Sequence, residues 1–117
     1  MFTVEKFIDA LGYEIMYNIG TDSRDNFDII DQAKSDDIWF HIEGRTSGHV
    51  IAEIPEDLLL TKKLREYIVK QGAVLCKQYS KYASEKNVPI IWTKIENIEK
   101  TKVVGSVIAK NTKVVHI

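Results

Sequence analysis

Residues 36–54 read "DDIWFHIEGRTSGHVIAEI", and two alternating runs in this stretch restrict the fold more than any other feature of the chain. Side chains of a strand point to opposite faces in turn, so Ile38, Phe40 and Ile42 share one face while Asp37, Trp39, His41 and Glu43 share the other. In the second run Val50, Ala52 and Ile54 lie together, opposite His49, Ile51 and Glu53. A slip of one residue would turn every apolar side chain outward, so the pattern selects a hairpin of one parity. Pairing Glu43 with His49 across "GRTSG" sets all six small or apolar residues on a core face. Trp39, His41 and His49 then gather on the second face, beside Asp37.

The flanking sequence completes an α+β pattern. "FTVEKFI" and "YEIMYNI" read as strands around "DALG", with Tyr13, Ile15, Tyr17 and Ile19 alternating. Thr21, Asp22 or Ser23 is placed to cap a short helix carrying Phe27, Ile30 and Ala33 on one side. From Glu56 to about Ser84 the apolar spacing turns helical, with Glu56 and Asp57 suited to the positive end of a helix dipole. Gly72 predicts a bend or a split into two helices. "VPIIWTKI", "KVVGSVIA" and "KVVHI" return to strand, the last pair around a turn near Asn111. The expected fold is therefore a mostly antiparallel sheet with a central hairpin, covered by one or two helices of the C-terminal half. With 117 residues, 44% of them hydrophobic, the chain can build one core unaided, and residues 1–117 are read as one domain. A lone cysteine, Cys76, excludes an internal disulfide, suits a reducing compartment and reads as a small apolar helix residue. No apolar run reaches the roughly 20 residues of a membrane span. The first residues lack the pattern of a secretory signal, and the expected location is cytoplasmic.

Charge is divided along the chain. Residues 1–60 hold 4 Lys/Arg against 13 Asp/Glu, and residues 61–117 hold 12 against 4, so a net −9 faces a net +8. Such a division points to a polyanion-binding or partner-binding face, or to two solvated faces that attract each other. The second face of the hairpin adds to the first reading. An indole can stack on a base for about 1–3 kcal/mol. Imidazoles can bond phosphate, ribose or base edges, and Arg45 can fork onto a phosphate. If a helix covers that face instead, Trp39 is core and the imidazoles are satisfied by backbone or by Asp37.

"NIGTDSRDN", "DDIWFHIEGRTSGHVI" and "GAVLCKQYSKYASEKNVPIIWTKIENIEK" together resemble the NFACT-R domain family, the RNA-binding module of ribosome-quality-control factors. The likeness rests on Gly20, Asn26, Asp37, Trp39, Phe40, His41, Gly48, His49, Val50, Ser80, Lys81, Val88, Trp92 and Thr93. Ser47-Gly48 stands where many members have Gly-Ser, as in the stand-alone type. The resemblance implies a non-enzymatic, cofactor-free nucleic-acid-binding module. Its partner would be RNA, tRNA-like or single-stranded, in translation or ribosome quality control, with DNA an open alternative. The residues expected to carry binding are Asn26, Asp37, Trp39, His41, Arg45, Ser47, His49, Lys77, Lys81 and Lys94. Lys62, Lys63 and Lys70 also fall on the helix as phosphate contacts, although the spacing does not put every lysine on one face. Two other classes stay open. One is a metal or hydrolytic site on Asp37, His41 and His49, which no HExxH or CxxC spacing supports. The other is a protein-interaction module using the acidic residues Asp22, Asp25, Asp28, Asp31 and Asp36, or an exposed strand edge.

Overall fold

The computed structural model describes residues 1–117. Eight strands and two α-helices follow the order β1 (Phe2–Ile8), β2 (Tyr13–Ile19), α1 (Ser23–Gln32), β3 (Ile38–Ile42), β4 (Val50–Ala52), α2 (Lys62–Gln78), β5 (Pro89–Lys94), a 3-10 turn (Ile95–Asn97), β6 (Ile98–Lys100), β7 (Val107–Ala109) and β8 (Lys113–His116). Six strands form one antiparallel sheet in the order β1-β2-β4-β3-β5-β8, and β6 pairs with β7 as a separate ribbon. The expected α+β architecture is the one observed.

Two layers of different size cover the sheet. On one face Ile15, Tyr17, Ile19, Ile38, Phe40, Ile42, Val50 and Ala52 pack with Ile68, Val69, Ala73, Leu75 and Cys76 of α2. The Tyr17 hydroxyl donates to the carbonyl of Ile68 at 2.9 Å and fixes the helix along the strands. Burial pushes the Cys76 thiol up to about 12, so it packs as a small apolar group. On the other face Ile29, Trp39 and Ile51 form a second cluster, closed by Ile30 and Ala33 from α1 and by Ile98, Val107 and Ala109 from the β6–β7 ribbon.

Four local expectations change. The last two strands do not pair around Asn111: β7 pairs with β6 in the ribbon and β8 with β5 at the edge of the main sheet. The second helix begins at Lys62, not Glu56, because Thr61 caps it: the Thr61 hydroxyl accepts the Leu64 N–H at 3.2 Å. Gly72 neither bends nor splits α2, which runs unbroken through Gln78. Its lack of a side chain makes room for the ring of Phe40, which a β-carbon there would overlap. The β3–β4 register differs by two residues. Phe40 lies opposite Val50, whereas pairing Glu43 with His49 would have set it opposite Ala52. A shift of two keeps every side chain on its expected face.

Candidate functional site

The two-residue shift has a local cause. The backbone of His49 is engaged away from β3: its N–H donates to Asn26 Oδ1 at 2.9 Å, and its carbonyl accepts the Gly20 N–H at 2.9 Å. Asn26 reaches this point from α1, whose start is set by Asp22, with the Asp22 carboxylate accepting the Asp25 N–H at 2.8 Å. Gly20 and Gly48 let the three segments close: a β-carbon at Gly20 would overlap the Asn26 side chain, and one at Gly48 the carbonyl of Gly20. Gly20, Asn26, Gly48 and His49 are thus a single joint that holds the second histidine in place.

Alternation does bring Trp39, His41 and His49 together. The Trp39 and His41 rings lie 5.7 Å apart and 9° from parallel, and each meets the His49 ring edge-on at 5.2 Å. They line a cleft of about 600 Å³ between α1, the β3–β4 loop and the β6–β7 ribbon, with Arg45, Thr46 and Ser47 on the loop side. The expectation that the indole stands in open solvent is corrected: Trp39 keeps only 2 % of its exposure and His49 only 3 %, while His41 is half-buried. The cover comes from α1, as the alternative reading of a helix over this face allowed, and from residues 98–109, some sixty positions along the chain. Trp39 Nε1 and His49 Nδ1 are nevertheless without a hydrogen-bond partner in the protein, although both atoms are out of solvent. A buried polar group left unpaired costs about 1–3 kcal/mol, so two at the floor of one cleft mark it as a place for ligand groups.

Both imidazoles are held neutral. Burial, with His41 beside it as the lesser cause, pulls His49 down to about 3, and burial lowers His41 as well. A neutral imidazole offers one donor and one acceptor, which suits a base edge or a ribose hydroxyl better than a phosphate. The same shift makes stability depend on pH. A histidine whose folded pKa lies below its unfolded one supports folding only while neutral. The support is complete above about pH 6.5 and is lost as pH falls toward the folded value. Unfolding titrations in urea are expected to show stability dropping by about 1.4 kcal/mol per pH unit between roughly pH 6 and 4.5. His49→Gln should flatten at least half of that slope; an unchanged slope would assign it to other groups.

The other expected residues divide between this cleft and other tasks. The Ser47 hydroxyl accepts the Ile42 N–H at 3.3 Å and shapes the loop. Arg45 lies 4.5 Å over the ring of Tyr82 and pairs with Glu85 at 2.9 Å. Lys81 lines a smaller cleft that shares Ser23, Asn26, Thr46 and Ser47 with the first. Asp37 does not join the histidines. Its oxygens accept the N–H groups of Lys34 and Ile54, each at 2.9 Å, and its carboxylate pairs with the Lys34 ammonium at 3.2 Å. Lys77 donates to the carbonyl of Ile117 at 2.9 Å, and Lys94 lies 3.9 Å from Asp36 and 3.8 Å from Glu96. Neither lines the cleft. The residues that sequence reasoning missed are those of the far wall: Ile91, Val107, Ala109 and Thr112. Only the alternation of "SVIA" hinted at a strand there.

Comparison with known proteins follows this geometry. The family model described as "NFACT protein RNA binding domain" matches residues 3–115. Coiled-coil domain-containing protein 25 of Danio rerio is 25% identical over 83 residues, which cover 71% of this chain and 40% of that protein. The structure of the C-terminal part of the fibronectin/fibrinogen-binding protein from Streptococcus suis superposes with a TM-score of 0.75 over 88% of this chain and 41% of that one. At 19% identity it supports the fold alone. The chain thus spans about two-fifths of the length of these relatives.

Proposed function

We propose, from the premise that this chain belongs to the NFACT protein RNA-binding domain family, that it holds an unpaired nucleotide of a structured RNA, tRNA in particular, in the cleft of Trp39, His41 and His49, and performs no chemistry on it. The observation that carries it is the cluster of three rings, Trp39, His41 and His49, lining one cleft, with Trp39 Nε1 and His49 Nδ1 buried and unpartnered behind its surface. Sequence-specific RNA recognition targets splayed-out bases, which are stacked on aromatic or imidazole rings and hydrogen-bonded at their edges. Here the half-buried His41, the least covered of the three rings, takes the stacking role that alternation suggested for the indole, whose unpartnered N–H can donate once a side-chain movement uncovers it. Arg45, already engaged with Glu85 and Tyr82, contributes a single cation at the rim. The setting that suits such a module is cytoplasmic translation, on ribosome-associated RNA.

Fluorescence anisotropy with labelled tRNA at low salt tests this. His41→Ala should weaken binding by about 1–3 kcal/mol, or roughly five- to 150-fold, with the melting temperature little changed. Equal affinity of the variant and the parent, or absence of tRNA binding by the parent, would overturn the reading.

A further inference from the structure

The cleft recognises more than it attracts, because only one formally charged residue, Arg45, lines it. A group of cations without ion pairs lies across the sheet. Where the first half of α2 meets β5 and β8, a groove of about 560 Å³ is lined by Lys62, Arg65, Lys70 and Lys113 against one carboxylate, Glu66. None of these four cations takes part in any of the six ion pairs of the molecule. Lys62 and Arg65 stand in the first turn of α2, a turn without acidic residues, where the helix dipole repels cations. Trp92 lies among them, half-buried, 5.7 Å from the Arg65 guanidinium and 5.4 Å from the Lys113 ammonium. Two cations at the N-terminal end of a helix, with two more beside them and an indole in their midst, form a surface that favours an anion.

We propose that this groove is a second nucleic-acid contact, on which a single-stranded segment lays its phosphates along Lys62, Lys70 and Lys113 with a base against Trp92. Charge complementarity selects a polyanion. The indole, set against the apolar walls of Val69 and Val115, selects a base-bearing polyanion over an acidic peptide. The two sites also adjoin at the start of β8: Thr112 lines the cleft and Lys113 the groove. A strand with one nucleotide in the cleft crosses this edge of the sheet and continues on the far side. That path rests on the cleft reading; the groove itself does not.

The test uses the full chain with Lys62, Lys70 and Lys113 all changed to Gln. Their exposed side chains make no hydrogen bond or ion pair, and only Lys113 touches another group, the ring of Trp92, so the melting temperature serves as the folding control. With an RNA oligomer of about twelve nucleotides, the slope of log affinity against log salt should become shallower by about 2, at roughly 0.7 per phosphate contact. Between about 50 and 200 mM salt, the variant should then lose roughly 20-fold less affinity than the parent. A trinucleotide, too short to reach both sites, should show a smaller difference, and Lys→Arg at the three positions should restore the parent slope. An unchanged slope would overturn the proposal, as would stronger competition by poly-glutamate than by RNA. If His41→Ala leaves binding intact while the lysine variant still lowers the slope, the cleft reading fails and the groove stands.

Discussion

Trp39→Ala is expected to cost this protein about 3–5 kcal/mol of stability, the range for emptying a fully buried aromatic site. Trp39 is the largest fully buried side chain and packs in one cluster with Ile29 of α1, Ile51 of β4 and the β6–β7 ribbon. The surrounding small cluster has few neighbours able to relax into the space, so the loss should fall in the upper part of the range. Domains of this size are stable by only about 5–15 kcal/mol, so a large unfolded fraction is expected in mild denaturant. This makes Trp39→Ala a poor probe of binding: a loss of affinity would report lost structure. Trp39→Phe is the sharper variant. It keeps an aromatic body in the cluster and removes only the unpartnered N–H and part of the ring, so it should retain more stability and still lose RNA affinity. Urea unfolding of the three proteins checks the order. A Trp39→Ala domain within about 1 kcal/mol of the parent would mean that the cluster is not built around this residue.

Asp37→Ala is expected to be comparably damaging, at about 3–5 kcal/mol for two charge-assisted hydrogen bonds lost and a main-chain N–H left buried without a partner, although sequence reasoning placed Asp37 among the binding residues. The carboxylate is 1 % exposed and accepts two main-chain N–H groups, one from the turn before β3 and one from Ile54 after β4. Without it, the N–H of Ile54 is left buried and unpaired, the Lys34 ammonium loses its partner, and the two ends of the hairpin are no longer tied. Asp37→Asn should lie between, since an amide has one accepting oxygen where the carboxylate uses two. Equilibrium unfolding with an unchanged denaturant slope would show that stability, and not the unfolded state, has moved. If Asp37→Ala instead unfolds like the parent and loses RNA affinity, Asp37 belongs to the interface after all.

These two variants show where alternation stops being informative. It placed Trp39, His41 and His49 on a common face, and the rings do meet. It placed Asp37 on that face too, but Asp37 precedes the first residue of β3, and its carboxylate caps the turn from Lys34. The faces held under a two-residue change of register because the period of a strand is two. The helix start was misplaced because Glu56 and Asp57 carry a helix-start signature in a segment that Pro55 opens and Thr61 ends. On α1, Phe27, Ile30 and Ala33 were read as one side; Ile30 and Ala33 do pack on the second cluster, but the fully buried residues are Asn26 and Ile29, one position earlier than Phe27 and Ile30. The lysines were only partly placed: Lys62 and Lys70 do line one groove. Lys77 and Lys94 are occupied by local partners, and the unpaired cations include Arg65 and Lys113, which no motif marked.

Short-range periodicity determined the strands Phe2–Ile8 and Tyr13–Ile19, the hairpin and its two faces, and the α+β class, because side-chain direction follows from backbone geometry within a few residues. The depth of the aromatic site was settled only in three dimensions. The β6–β7 ribbon folds back over Trp39, leaving a donor and an imidazole nitrogen buried without partners, and β8 brings Lys113 beside α2. Contacts between segments forty to seventy residues apart depend on the path of the whole sheet, which no local pattern encodes.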